Sequence, residues 1–359
     1  MAVDRRISEL IAHAARQARG RSISKRKTRD PTRPAASWIA STRIGENTGS
    51  ALSVVLGTIG CSHARGEAGG CTMCSYLLDG SSHNPTSDEI VQQFSQSLSK
   101  LKGAERPLSV KVYTSGSFFD EEEVPLDARS RILEMVSEYD GISELVLESR
   151  PEYVTKSALS DVVEHTKDIA VEIGIGLESS NDRVRSLCVN KGFDFADFKV
   201  AVQQALDDCV GVRAYVLMKP PLLTELDAIV DAKTTIADAL RTGVTTISLN
   251  PVNIQKNTLV EYLWRRFRYR PPWLWSVLEV LRHARSIADE KVNIICDPVA
   301  AGKRRGAHNC GDCDSGVAAS ISQFVLTQDL RHLREGQCSC LGLWNHALMH
   351  EDVAHLVHQ

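Results

Sequence analysis

Residues 52–74 read LSVVLGTIGCSHARGEAGGCTMC, and this stretch decides the fold. Its first nine residues are apolar and β-branched and predict a β-strand, after which Cys61, Cys71 and Cys74 follow in a polar, glycine-rich loop. Three thiolates after a first strand can hold three corners of an iron–sulfur cube, which leaves the fourth iron open. The spacing alone leaves a zinc site, with His63 as the fourth ligand, as the alternative.

Outward from this stretch, six apolar, β-branched runs alternate with helical patterns. The runs lie at 52–60, 109–114, 144–149, 170–177, 211–218 and 244–250. Such an alternation predicts an α/β fold with a parallel sheet, and six units in roughly 200 residues suit a partial (β/α)6 barrel. In such folds the chemistry lies at the carboxyl ends of the strands. A shorter run at 292–296 predicts one more strand.

The composition bounds the class of protein. The 359 residues are 24% charged and 43% apolar with a net charge of −3, which excludes disordered, collagenous and coiled-coil chains. No apolar run approaches the roughly 18 residues of a membrane span, and the N-terminus lacks the apolar core of a signal peptide. We therefore expect a cytoplasmic location without membrane contact, where thiols stay reduced. Cys188 and Cys209 stand alone in periodic segments and are expected in the core.

Charge is distributed unevenly along the chain. Residues 1–33 contain ten Lys and Arg against three Asp and Glu, a net +7, so the remainder carries −10. This arm, with a helix predicted over 4–18, is a candidate polyanion contact, although a solvated and partly disordered leader would carry the same charge. The predicted domains are a basic N-terminal helix and arm (1–49), the partial barrel (50–250) and a C-terminal extension (251–359).

A second cysteine cluster lies in the extension. A CxxC and a CxC contribute its four thiols, which are Cys310, Cys313, Cys338 and Cys340. Two short pairs of this kind are typical of a structural zinc site. Cys296 and His308 are alternative ligands, and a second iron–sulfur cluster is an alternative occupant. Free thiols without a metal are the remaining alternative.

The spacing Cys61-x9-Cys71-x2-Cys74 ahead of a sixfold βα array resembles that of the radical S-adenosylmethionine (SAM) enzymes. The nine-residue gap is similar to that of the branch containing the elongator catalytic subunit, which acts on tRNA. Six phrases narrow the resemblance, namely Gly60–Ser62, Gly69–Cys74, Ser115–Asp120, Glu148–Tyr153, Asn250–Asn253 and Arg305–Cys310. Together they resemble the archaeal radical SAM family that completes archaeosine in tRNA.

The resemblance implies a [4Fe–4S] cluster on the three loop cysteines, with SAM bound to its open iron. The residues that it places around SAM are Met73, Gly116, Ser117, Glu148, Glu178 and Lys191. Gly116 and Ser117 are implied to meet the methionyl amine through backbone groups, and Met73 is implied to flank the adenine. Ser117 stands where a second glycine is commoner in the superfamily, and Met73 where an aromatic residue is commoner.

The charged members of this set have structural alternatives. The resemblance implies that Glu148 pairs with the methionyl ammonium, that Glu178 accepts from a ribose hydroxyl, and that Lys191 pairs with the methionyl carboxylate. Alternatively, the two glutamates are rim carboxylates in salt bridges with Arg150 or Arg183, and Lys191 is merely exposed.

The family resemblance also implies a reaction. The substrate is tRNA whose D-loop carries a lysine adduct of 7-deazaguanine, which a partner, the lysine-transferring archaeosine synthase, has attached. The radical enzyme then breaks the C–N bond to lysine by way of a 5′-deoxyadenosyl radical and leaves archaeosine, with electrons from an unidentified one-electron donor. The basic arm, residues 264–275 and residues 303–305 are candidate tRNA contacts, although 264–275 could equally be an ordinary helix with solvated arginines.

Other functions are kept as alternatives. An elongator-like acetyl transfer is disfavoured because the chain has no room for an acetyltransferase domain, and a methylthiolation because no cysteine-bearing domain precedes Cys61. A non-catalytic, zinc-stapled RNA-binding protein would carry zinc at both cysteine clusters.

Overall fold

The computed structural model describes residues 2–20, 29–166, 168–334 and 336–351. Eight strands form one sheet in chain order, and the sheet curls into half a barrel. The strands are β1 (Ala36–Ile44), β2 (Asn47–Val55), β3 (Leu108–Tyr113), β4 (Ile142–Ser149), β5 (Ala170–Glu178), β6 (Gly211–Met218), β7 (Thr246–Pro251) and β8 (Asn293–Ile295). β1 and β2 form an antiparallel hairpin, whereas β2 to β8 are parallel. The predicted partial α/β barrel is confirmed.

Helices connect the parallel strands and cover the outside of the sheet. The described helices are α1 (Ala2–Arg19), α2 (Ser62–Arg65), α3 (Ser87–Leu98), α4 (Leu126–Glu138), α5 (Lys156–His165), α6 (Asp182–Val184), α7 (Phe195–Asp207), α8 (Glu225–Arg241), α9 (Leu259–Arg265), α10 (Leu274–Ile287), α11 (Asp314–Thr327) and α12 (Leu341–His350). A capping box begins α3, where Thr86 and Glu89 exchange side-chain and backbone hydrogen bonds. None of these helices is both long and apolar enough to cross a membrane.

The two faces of the sheet differ in polarity. On the outer face, side chains such as Val212 and Val216 of β6 pack in the core against the helices, and each buried valine contributes roughly 1.5 kcal/mol. On the inner face, Arg213 of the same strand pairs with Glu172 of β5 at 2.5 Å, and both side chains are nearly buried. The half-barrel therefore has an apolar shell outside and polar groups inside.

The structure differs from the sequence pattern in its first two strands. β1 was not predicted, because most of its residues are exposed and they form no continuous apolar run. The strand predicted at 52–60 is β2, which ends at Val55; the rest of that run is a connection in which Leu56 is fully buried. Cys61 therefore stands six residues beyond the strand rather than at its end.

At the N-terminus, α1 confirms the helix predicted over 4–18. Part of the basic arm lies outside the described residues, namely Arg21, Lys25, Arg26 and Lys27. The β1–β2 hairpin crosses the predicted boundary at residue 49, and β8 of the extension pairs with β7 of the barrel. The three domains stay a prediction.

Candidate functional site

The three cysteines of the first cluster share one loop at the carboxyl edge of the parallel strands. Cys61 caps the single turn of α2, and the Cys74 N–H donates to the Cys71 carbonyl at 3.3 Å. Burial, reinforced by the nearby Cys71, raises the pKa of the Cys61 thiol, and the same causes raise that of Cys74 to about 12. Burial and the neighbouring thiols therefore disfavour the thiolate forms of Cys61 and Cys74, and a bound cationic group would offset that cost.

The loop is fastened to the segment that follows β5. The Thr72 N–H donates to the Val189 carbonyl at 2.9 Å, and its hydroxyl donates to the Cys188 carbonyl at 2.7 Å. Asn190, in the left-handed region with φ 59°, donates through its amide to two loop carbonyls at 2.8 and 2.9 Å. These contacts come from a short π-helix, Arg185–Val189, a rare conformation that often accompanies functional sites.

Helix α1 lies over the same loop. Arg19, only 4% exposed, donates through Nη2 to the carbonyls of Cys71 at 3.2 Å and Cys74 at 3.1 Å. The Arg16 guanidinium donates to the Glu67 carbonyl. The N-terminal helix therefore contributes directly to the cysteine loop, a role that net charge along the chain could not reveal.

Gly116 and Ser117 lie directly behind Cys61. A Cβ at Gly116 would come within 2.6 Å of the Cys61 Cα and would also meet the Glu123 carboxylate. The Ser117 N–H donates to Glu123 Oε2 at 2.8 Å, and its hydroxyl accepts from the Arg150 N–H at 3.0 Å. Glu123 is fully buried and carries no sequence signal, because it stands in a run of three glutamates.

We expect Gly116→Ala to disrupt the first cysteine site while leaving the barrel folded. The added methyl group would meet the Glu123 carboxylate and would lie 2.6 Å from the Cys61 Cα, a backbone atom that cannot give way as the end of a flexible side chain can, so Cys61 would have to move. Metal bound at Cys61, Cys71 and Cys74 should fall at least about tenfold, as measured by metal analysis after anaerobic purification. Gly342→Ala, where the added methyl group meets nothing, is the matched control and should bind as the wild type does.

Glu148 lies near the carboxyl end of β4, on the inner face of the sheet. It forms a hydrogen bond with Tyr215, and burial raises the pKa of its carboxyl group to about 7. The positive charges of Arg213 and Lys191 act in the opposite direction and only limit this rise. Glu148 is therefore a carboxyl group whose charge changes near neutral pH.

Glu178 and Lys191, the other two charged residues of the set, pair with each other at 2.7 Å. Both side chains are nearly buried, so Lys191 is not merely exposed. Burial alone would lower the pKa of Lys191, but the Glu178 carboxylate outweighs it and raises this pKa. Among the described residues, the salt-bridge partner of Arg150 is Glu152 at 2.5 Å, and Arg183 pairs with Asp4 at 3.1 Å rather than with either glutamate of the set.

Met73 packs into a second apolar cluster beside the loop. This cluster includes Val189, Leu217 and Val260, and it also takes up part of Cys71. The Val260 N–H, at the start of α9, donates to the carbonyl of Thr72 at 3.2 Å. Met73 therefore packs between the cysteine loop and α9.

The four cysteines of the extension converge. All four Sγ atoms lie within 4.8 Å of one another, and this group includes neither Cys296 nor His308. The Sγ–Sγ distance is 3.9 Å for Cys310–Cys313, 3.7 Å for Cys310–Cys338 and 3.7 Å for Cys313–Cys340. Cys296 is buried in the main core, and His308 Nδ1 is 2.8 Å from the carbonyl of Gly306.

Hydrogen-bond donors surround these four sulfurs. The indole N–H of Trp275 donates to Cys340 Sγ at 3.2 Å, and the amide of Asn309 donates to Cys313 Sγ at 3.3 Å. The backbone N–H groups of Cys313 and Asp312 lower the pKa of the Cys310 thiol to about 7. N–H donors of this kind stabilise thiolates, the form that binds metal.

The two single cysteines behave differently. Cys188 is fully buried, as predicted. The prediction that Cys209 is buried was wrong, because it is exposed and has a left-handed φ of 60°. It lies where the chain reverses between α7 and β6, and the apolar side chain that enters the core there is Val210.

The candidate tRNA contacts are partly buried. Trp275 is buried and Trp264 packs against the second apolar cluster. These two tryptophans therefore contribute to packing, which is the alternative to tRNA contact for this part of the 264–275 segment. Arg305 pairs with Glu261 at 2.5 Å, whereas Lys303 and Arg304 are exposed.

Comparisons with known proteins identify the family to which the chain belongs. No family model matches the chain. It is 40% identical over 319 residues to the archaeosine synthase subunit beta of Methanosarcina acetivorans, covering 89% of this chain and 91% of that protein. It is 39% identical over 311 residues to the archaeosine synthase subunit beta of Thermococcus kodakarensis, covering 86% and 95%.

Among solved structures, an N-terminally truncated Elp3 from the archaeon Methanocaldococcus infernus matches with a TM-score of 0.51 at 15% identity. The match covers 67% of this chain and 59% of that one, and at this identity it shows a shared fold. The extensive identity to the two archaeal subunits goes further. The chain belongs to the archaeosine synthase subunit beta family.

Proposed function

We propose that this protein is a radical SAM enzyme that cleaves the C–N bond to lysine in the lysine adduct of 7-deazaguanine, in the D-loop of tRNA, to form archaeosine. One observation carries the proposal. Cys61, Cys71 and Cys74 share one partly buried loop at the carboxyl edge of a half-barrel, in a chain that is 40% identical to an archaeosine synthase subunit beta. When bound, the [4Fe–4S] cluster and SAM supply the radical that starts the cleavage.

The residues present fit an iron–sulfur cluster. The loop offers three thiols, and Gly116 lets its own backbone pack directly against Cys61, where the Cβ of any other residue would clash. Arg19 neutralises part of the negative charge that a thiolate-bound cluster would bring, since its own charge lowers the pKa of Cys74 against the effect of burial. The alternative zinc site would need His63 as its fourth ligand. The Nε2 atom of His63 instead lies 2.7 Å from the Asn190 carbonyl oxygen.

Three charged residues near the loop would position SAM. Glu148 would pair with the ammonium group of its methionyl part. Lys191 would pair with the carboxylate and Glu178 with a ribose hydroxyl, and their present contact at 2.7 Å keeps both side chains near the loop. Binding of SAM would then replace the ion pair between Glu178 and Lys191 with contacts from each side chain to SAM. Neither charged side chain would be left buried without a partner.

Raising the pH from about 6 to about 8 is expected to strengthen SAM binding by up to about tenfold. The pKa of Glu148 is about 7 because of burial, so below that pH its carboxyl group is neutral and cannot form the ion pair. Equilibrium dialysis of the reconstituted enzyme would measure the affinity. Glu148→Gln should bind weakly at every pH, while the exposed Glu121→Gln keeps the wild-type profile. A wild-type affinity that falls as the pH rises would contradict this role.

We propose zinc as the occupant of the second cysteine group. Four thiolates around one zinc ion, each about 2.3 Å away in a tetrahedron, lie about 3.8 Å from one another. Three of the six sulfur–sulfur separations in this group are 3.7 to 3.9 Å, which fits that geometry, and all six are below 4.8 Å. A cubane spreads its thiolates over several irons and holds them further apart than one ion does.

Two partners follow from the proposal. The relatives are named as the beta subunit of archaeosine synthase, which supports a complex with another subunit. We infer that this subunit is the lysine-transferring enzyme and that tRNA is the common substrate. A separate one-electron donor would reduce the cluster.

The decisive experiment supplies the reduced enzyme with SAM and lysine-modified deazaguanine tRNA. Formation of both 5′-deoxyadenosine and archaeosine is expected. 5′-Deoxyadenosine without archaeosine would remove the proposed reaction but keep a radical SAM enzyme. Zinc without iron at the first site would instead favour the non-catalytic, zinc-stapled RNA-binding protein.

A further inference from the structure

An aromatic and basic surface follows the start of α9. We call it the α9 patch, and it comprises Tyr262, Arg265, Arg266, Phe267 and Arg268. Phe267 is 90% exposed, and its backbone is left-handed with φ 58°. A bulky residue loses free energy both by exposing its ring to water and by adopting this conformation. Folding alone gives no reason for either cost.

The patch is positively charged. Arg265, Arg266 and Arg268 flank the phenylalanine and are all exposed. Arg266 stacks over the Tyr262 ring at 3.6 Å, so a guanidinium and an aromatic face are already held together. The nearest acid, Glu261, has a side chain that is nearly buried and is shared between Arg265 and Arg305.

The opposite side of α9 packs against the cysteine loop. Val260 is fully buried in the apolar cluster that contains Met73, and its N–H donates to the carbonyl of Thr72 at 3.2 Å. α9 ends at Arg265, and Phe267 lies in the turn that follows it, whereas Tyr262 and Arg265 are exposed on the helix itself. The patch therefore lies on the solvent side of an element whose other side touches the candidate catalytic loop.

We propose that the α9 patch binds an unpaired nucleotide of the tRNA, with the ring of Phe267 stacked on its base and the arginines on the adjacent phosphates. This inference rests on the proposed function. Proteins recognise unpaired bases by stacking them on aromatic rings or guanidinium planes, and arginines neutralise the phosphates on either side. A nucleotide held here would be splayed out of the tRNA stack next to the cysteine loop, as a modification inside a barrel requires.

The test compares tRNA affinities of the purified holoenzyme. Phe267→Ala should weaken binding by about 5- to 150-fold, the range for the loss of one base–aromatic stack, without changing the dependence on salt. Phe267→Trp should restore affinity. Arg266→Gln should weaken binding and reduce the salt slope by about one. Val200→Ala, an exposed apolar residue on α7, is the matched control and should bind as the wild type does.

Iron content and tRNA-independent SAM cleavage should be the same in all these variants, since none touches the cysteine loop. Unchanged tRNA affinity in Phe267→Ala would overturn the inference while the proposed function survives. Unchanged tRNA affinity combined with weaker binding of the partner subunit would overturn it too, and would make the patch a protein interface. A wild-type enzyme that binds no tRNA would overturn the proposed function as well.

Discussion

Replacing Cys61, Cys71 or Cys74 with serine is expected to remove the iron–sulfur cluster and with it the cleavage of SAM. In the proposed cluster each thiol would hold a different iron, so the loss of one thiol would leave two irons without a protein ligand. Without a cluster, burial and the neighbouring thiol disfavour the thiolate form and raise the pKa of Cys74 to about 12. The two remaining cysteines would therefore be poor ligands on their own. Iron should fall from about four per chain to below one. Formation of 5′-deoxyadenosine should fall by more than about 100-fold, because weaker perturbations of metal sites already cost up to that much.

Cys209→Ser provides a matched control for this experiment. The residue is exposed and lies on the turn between α7 and β6, away from both cysteine clusters in the sequence. It should keep its iron, its colour and its activity. A wild-type protein with four irons per chain that keeps them in all three serine variants would show that the cluster is held elsewhere.

Much of the fold could be predicted because parallel strands are buried on both faces and therefore leave long apolar runs in the sequence. β1 lacks that signal, since it pairs on one side only and most of its residues face solvent. The error at the end of β2 has a different cause. Burial makes Leu56 apolar in a connection just as it would in a strand, so hydrophobicity alone cannot locate where the strand ends.

The site was less predictable than the fold. The spacing of Cys61, Cys71 and Cys74 in the sequence predicts a set of ligands even without a structure, because ligands of one metal or cluster often stand at short, fixed intervals along the chain. The contact between Glu178 and Lys191 depends on how two loops approach each other, and no periodicity encodes that. Arg19 is more than 50 residues from the loop whose carbonyls it contacts, so its role appears only once α1 is placed.

Removing the second metal is expected to destabilise the C-terminal extension more than any single core substitution would. Its four thiols tie together α11 and α12, which begin directly after Cys313 and Cys340. Without a metal, no cross-link would hold the two cysteine pairs together at the start of these helices, and zinc binding in small domains is worth about 10–16 kcal/mol. Cys313→Ser should lose about one zinc per chain and lower the unfolding temperature by at least about 5 °C, as measured by metal analysis and calorimetry.

A second substitution separates loss of the metal from loss of packing. Cys296→Ala also removes a thiol from the extension, but this residue is in the main core and outside the four-sulfur group. It should keep its zinc while losing some stability to the cavity, because core truncations cost free energy without touching a metal. Zinc lost from Cys296→Ala but retained in Cys313→Ser would contradict the ligand set. Iron and sulfide beyond the four irons expected at the first site would show that the four thiols hold a second cluster instead.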